Sequence, residues 1–147
     1  MTIVLPYRHK VQYYETDMMG IVHHSNYIRW FEECRIDYME QLGYNYQEVE
    51  KQGIEFPVLG VSCNYKSSVC FGETVQIQSW FSLLTTTRMS FNYRVTDAVS
   101  GKLRATGESR HCYCRITDHK PVQLNKTLPE IYSLFNSWAE EERQKSQ

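Results

Sequence analysis

Hydrophobic and polar positions change period several times along this chain, and each change marks an element. Val11 to Glu15 is rich in β-forming residues and predicts a first strand, after which Asp17 to Gly20 supplies turn chemistry. A step of three and four residues then takes over. Tyr27, Phe31, Cys34, Tyr38 and Leu42 form an apolar stripe that Ile28 and Met39 widen, while Arg29, Glu32, Glu33, Asp37 and Glu40 occupy the remaining circumference. The pattern predicts one long amphipathic helix that begins at Ser25 or Asn26, both good N-caps, and stops at Gly43. Tyr46 to Lys51 forms a further short helical turn before Gly53.

From Phe56 to Ile116 the period falls to two. Met89, Phe91, Tyr93 and Val95 alternate with Arg88, Ser90, Asn92 and Arg94, and Val75, Ile77, Phe81 and Leu83 share one parity in the preceding strand. The connections are too short for parallel crossovers, so these strands are antiparallel. The last strand, Lys102 to about Ile116, is apolar first at Leu103 and Ala105 and then, on the other parity, at Cys112, Cys114 and Ile116, which predicts a bulge near Gly107. Thr127 and Glu130 stand in capping-box spacing ahead of a C-terminal helix with Ile131, Leu134, Phe135 and Trp138 on one face, and Ala139 to Gln147 is expected to fray. Strand, long helix, four strands and terminal helix make an α+β fold whose sheet hides its apolar face against the long helix. Trp80 and the paired cysteines leave the opposite face unevenly polar, so a second sheet or subunit is expected there.

The 147 residues, 41% hydrophobic and 22% charged, suit one domain spanning 1–147. A net charge of −1 without a basic, aromatic-interleaved tract argues against nucleic acid. No apolar run is long enough to span a membrane, and Met1 to Pro6 lacks the layout of a signal peptide, so a cytoplasmic location is expected. Five cysteines at irregular spacing do not indicate disulfides. Cys112 and Cys114 share a strand face but lack the second ligand pair that zinc needs, and His23 and His24 lack a third ligand, so no metal is expected.

The chemistry concentrates between Tyr13 and Tyr27, where a strand-like stretch runs through an acidic turn into a helix start. Amides at a helix start lack intrahelical acceptors and carry the positive end of the macrodipole, so they polarise a carbonyl or stabilise an oxyanion. A carboxylate beside them makes an acyl-transfer site. The bland reading of Asp17 is a turn aspartate that caps its own backbone, and that of Asn26 is an N-cap. Tyr13 and Tyr14 point to opposite sides of a strand, so only one of them lines a site.

Thr16-Asp17-Met18-Met19-Gly20-Ile21-Val22, followed by His24, Asn26 and Tyr27, resembles the Asp-x-x-Gly-(Ile/Val)-Val signature of the hot-dog fold thioesterases, in particular the 4-hydroxybenzoyl-CoA thioesterase-like acyl-CoA thioesterases. The resemblance runs through almost the whole chain. It implies a hot-dog fold, with an antiparallel sheet wrapped around a long central helix and a C-terminal helix added. It further implies hydrolysis of short-chain or aromatic acyl-CoA, without a cofactor, in a homodimer or homotetramer whose site lies between subunits. Asp17 falls on the family's catalytic carboxylate, acting as nucleophile or general base. His24 falls on the residue whose backbone amide faces the thioester carbonyl. Tyr14, Asn26 and Tyr27 become substrate-binding candidates, and Lys66 and Arg88, with Arg110 and Lys120, are cations available to coenzyme A phosphates. The family carries an aromatic residue at the position of His24 in some aroyl-CoA members and histidine in a short-acyl branch. Another branch uses a helix glutamate, a role that Glu32 and Glu33 need not fill while Asp17 is present. The rival readings are hydrolysis of acyl groups from acyl carrier protein and a non-hydrolytic module that holds acyl carriers or protein partners.

Overall fold

In the computed structural model, which describes residues 3–145, the elements are β1 (Tyr7–Lys10), a 3₁₀ turn (Tyr13–Glu15), α1 (Ser25–Gln41), α2 (Tyr46–Lys51), β2 (Ile54–Glu55), β3 (Val58–Tyr65), β4 (Thr74–Leu84), β5 (Arg88–Asp97), β6 (Leu103–Cys112), β7 (Cys114–Arg115), α3 (Leu124–Thr127) and α4 (Pro129–Lys145). Five strands pair antiparallel in the order β1-β4-β5-β6-β3, and β2 pairs with β7 separately. The sheet lays its apolar face on α1, the α+β hot-dog arrangement that the sequence pattern and resemblance led us to expect.

Period decides which side of each element is buried. Tyr27, Phe31, Cys34, Tyr38, Met39 and Leu42 are buried on α1, and so are Met89, Phe91, Tyr93 and Val95 on β5. The Phe31 and Tyr93 rings stack 4.4 Å apart across this interface, and Tyr38 meets Phe81 and Phe91 edge-on. Ile28 does not join the stripe and is 43% exposed. At the other end of the sheet, Gln41 grips the main chain of Leu5 both ways, accepting from its N–H at 2.8 Å and donating to its carbonyl at 2.9 Å. No helix among the described residues is long and apolar enough to cross a membrane.

Several expectations need correction. Val11 to Glu15 is not a strand: β1 ends at Lys10, and Tyr13–Glu15 closes a 3₁₀ turn because the Glu15 side chain turns back to accept the Gln12 N–H. As a result Tyr13 and Tyr14 are both exposed, at 77% and 79%, rather than split between two faces. Pairing runs without a break through Gly107, opposite Cys63 and Tyr93, and the extra residue of β6 is instead Arg104, where Val95–Ala105 is followed by Thr96–Leu103. Parity does not switch at Gly107, because Ser109 and His111 are polar yet buried on the core side; β6 ends at Cys112, and Cys114 starts β7. Finally, Thr127 ends α3 by bonding back to the Gln123 carbonyl, and α4 opens at Pro129, whose missing N–H costs nothing in a first turn. That helix continues to Lys145 instead of fraying at Ala139, with Phe135, Trp138 and Ala139 buried and Glu142 accepting from the Tyr38 hydroxyl, although Leu134 points outward. Ser146 and Gln147, like Met1 and Thr2, lie outside the described residues.

Candidate active site

Between β1 and α1 the chain builds a loop whose every bend has a local cause. After the 3₁₀ turn, Thr16 and Val22 face each other across an antiparallel bridge, with the Asp17 N–H donating to the Ile21 carbonyl at 2.8 Å. The turn between them closes when the Gly20 N–H meets the Asp17 carbonyl, and Gly20 sits at φ +79°, where a side chain would be strained. Ile21 and Val22 then join the segment before β4, Ile21 opposite Cys70 and the Val22 N–H on the Val69 carbonyl. His23 donates its N–H to the Glu15 carbonyl, and α1 begins.

Asp17 is half-buried, and its Oδ1 accepts the Met19 N–H at 2.8 Å. The turn-capping role is therefore real, but it engages one oxygen; Oδ2 takes no part in it. His24 is the N-cap residue of α1, at φ −55°. The N–H of His23 goes to Glu15, and that of Ser25 goes to the His23 ring at 3.2 Å. The His24 amide lies between them, and no acceptor among the described residues takes it. Its imidazole is exposed and stacks on His23 with centroids 4.1 Å apart.

Asp17, His24, Tyr27 and Lys66 line one recess of about 280 Å³, together with Met19, Ile21, Val22, Tyr65, Ser67 and Ser68. The structure thus gathers four of the seven sequence candidates. Burial, aided by Cys63 and Tyr65, pushes the Tyr27 hydroxyl up to about 12, so it stays a neutral donor. The Tyr65 hydroxyl donates to the His24 carbonyl at 3.1 Å and holds β3 against the helix start. Asn26 does not reach the recess; it is buried, and its Nδ2 donates to the carbonyls of Glu15 and His23. Tyr14 is exposed outside the recess. Arg88 lies at the other end of β5, seven positions from the Val95 that pairs toward Tyr65, roughly 23 Å along the strand.

Two supports escaped the sequence reading. Arg104 reaches back from the β6 bulge to the Ser68 carbonyl at 2.8 Å and to Glu73 and Asp97 at 2.9 and 3.0 Å, bracing the Ser67–Ser68 wall. Leu103 and Ala105 keep one parity on either side of it, so nothing in the sequence marked Arg104. Glu15, 4% exposed, joins His9, Gln12 and Trp30. Burial alone would raise its carboxyl, but hydrogen bonds from Gln12, His9 and Trp30 outweigh that and hold it below the usual range. Nothing in hydropathy or spacing marks it.

Asp17 and His24 line one recess, and a carboxylate paired with a helix-start amide that has no acceptor can activate water or attack a carbonyl while stabilising the oxyanion that forms. Sequence and fold both place the chain among known proteins. The family model of the thioesterase-like superfamily matches residues 11–131. YneP of Bacillus subtilis, whose name assigns it provisionally as an acyl-CoA thioesterase, is 31% identical over 86% of this chain and 91% of its own. A Staphylococcus aureus crystal structure described as a DHNA-CoA thioesterase superposes with a TM-score of 0.91 at 29% identity, covering 97% of this chain and 95% of that one. A Thermus thermophilus protein of no stated activity gives 0.84 at 32% identity, over 91% and 98%. The chain belongs to the thioesterase-like superfamily and is a thioester hydrolase.

Proposed function

We propose that this enzyme hydrolyses short-chain or aromatic acyl-CoA to the free acid and CoA, with Asp17 and the His24 amide as its reacting pair. The observation that carries the reading is the convergence of the two on one recess, each with an uncommitted group. Asp17 either attacks the thioester carbonyl, expelling the CoA thiolate to leave an anhydride that water then cleaves, or takes a proton from the attacking water. In both routes the carbonyl oxygen gains charge and the His24 N–H receives it. Lys66, on the rim, suits a coenzyme A phosphate, and the name of the Staphylococcus aureus relative favours an aromatic acyl group.

The working unit on this reading is a homodimer joined at β3. Among the described residues that strand pairs only with β6, and it exposes Val58, Leu59, Val61 and Tyr65 at 40–54%. An open apolar edge of this length is a template for a second strand.

Thiol release from short-chain, long-chain and aromatic acyl-CoAs, measured for wild type and Asp17→Asn in parallel, tests the proposal. Turnover that collapses in the variant supports it. Equal turnover removes Asp17 from the chemistry, and an inactive wild type redirects attention to acyl groups on acyl carrier protein.

A further inference from the structure

We propose that Glu15 is a positioning residue that sets the distance between Asp17 and the His24 amide, an inference that rests on the reading of that pair given above. Its carboxylate meets three donors. Oε1 accepts the Gln12 N–H and faces His9 Nε2, both at 2.8 Å, and Oε2 accepts the Trp30 indole N–H at 2.8 Å. The side chain thereby fixes one residue to β1, to the 3₁₀ turn and to the second turn of α1. Its main-chain carbonyl performs the complementary task, accepting the His23 N–H and Asn26 Nδ2, each at 2.8 Å. Glu15 stands two residues before Asp17, and its carbonyl partner His23 stands one before His24. Both ends of the reactive loop are tied to this residue.

The charged surroundings are few. His9 also approaches Glu33 Oε2 at 3.9 Å, the same oxygen that accepts from the Tyr7 hydroxyl. Facing three donors, the position demands an acceptor on each oxygen. Glutamine would turn an NH₂ toward either the Gln12 or the Trp30 N–H, leaving a buried donor unpaired. Aspartate, one methylene shorter, cannot span from the turn to α1.

Misplacement of reacting groups by about 1 Å costs roughly 100-fold in rate. Glu15→Gln and Asn26→Ala are therefore expected to lower kcat 10- to 100-fold per folded molecule, with KM within threefold of wild type. The folded fraction comes from circular dichroism, and the substrate is the fastest acyl-CoA of the panel. Adding Glu15→Gln to Asp17→Asn is expected to cause no further loss, because a residue that acts by placing Asp17 has nothing left to place. Glu15→Gln tests the side-chain ties and Asn26→Ala the carbonyl tie, so poor folding of one leaves the other to decide. An inactive Asp17→Asn beside Glu15 and Asn26 variants of wild-type kcat and lowered Tm would make Glu15 merely structural. Wild-type turnover by Asp17→Asn would instead sink the reading of the pair itself.

Discussion

Ser109 Oγ stands 2.8 Å from His111 Nε2 on the side of β6 that faces the core, where His111 has no exposed surface. Tyr93 continues the chain to Ser109 at 2.6 Å and accepts from Arg35 at 3.3 Å. A guanidinium can only donate, so passing the order along, Tyr93 to Ser109 and Ser109 to Nε2, satisfies every hydroxyl and leaves the His111 proton on Nδ1. The carbonyls of Phe56 and Pro57 lie near the ring, but Nδ1 makes no well-formed hydrogen bond among the described residues.

Burial, with Arg35 adding to it, holds His111 at about 4, so the ring is neutral in the folded protein and protonates near 6.5 once unfolded. The unfolded chain therefore binds the extra proton between these values. Stability from this source is complete above pH 6.5, falls as the pH drops, and levels off below about 4. The loss is on the order of 3 kcal/mol. Urea unfolding of wild type and His111→Leu across pH 4–7 checks it. The variant should lack this part of the slope, and parallel curves would reject the assignment.

His24 allows the amide and the ring to be tested apart. Its φ of −55° is one that proline adopts, so His24→Pro deletes the N–H with little backbone change, while His24→Ala keeps the N–H and removes the imidazole. The proline variant is expected to lose about 100- to 1000-fold in kcat, the usual cost of one oxyanion donor, and the alanine variant far less. The reverse ranking in steady-state kinetics would shift the role to the ring.

Gly107 is required by the helix that crosses it. A methyl group there would overlap the Phe31 ring, already stacked on Tyr93, and crowd the Ser62 carbonyl. Gly107→Ala should cost about 1–3 kcal/mol, the range for overpacking. Denaturant melts of this variant and of Gly107→Ala with Phe31→Leu provide the check, since the smaller side chain should recover part of the loss.

Val61 is 40% exposed on β3 and lines a small recess with Ile28 and Val58. A buried carboxylate at the centre of a strand-to-strand interface is strongly unfavourable. Sedimentation should find wild type as a dimer or larger and Val61→Asp as a monomer, with far-ultraviolet circular dichroism unchanged. A wild type that sediments as a monomer at assay concentration would remove β3 from the assembly.

Much of this was legible in the chain because periodicity and hydrophobic burial have the same cause. The α1 stripe, the alternation on β5 and the Asp17–Gly20 turn all carry their geometry in their residue types. The errors share a cause as well. Hydropathy does not mark Ser109 and His111 as core residues because it cannot see the bonds from Tyr93 to Ser109 and from Ser109 to His111, hence the expected bulge at Gly107. Glu15 read as the end of a strand because its three donors come from β1, a local turn and a helix, which only the folded chain brings together. Asp17, His24 and Tyr27 of the motif line one recess together with Lys66, which lies outside the motif, whereas Asn26 is a clamp and Arg88 lies elsewhere.

The Gln41 grip on Leu5 has a consequence for how large an assembly can grow. Pro6 breaks the ladder just before β1, which is four residues long, and Gln41 draws the preceding chain onto the helix, so this border of the sheet offers little for another strand to copy. On the proposed pairing along β3, with this border offering little to copy, strand addition between copies is expected to stop at two chains. Two chains that meet along β3 form an isologous pair and leave only blunted borders outside, a closed two-fold object instead of a filament.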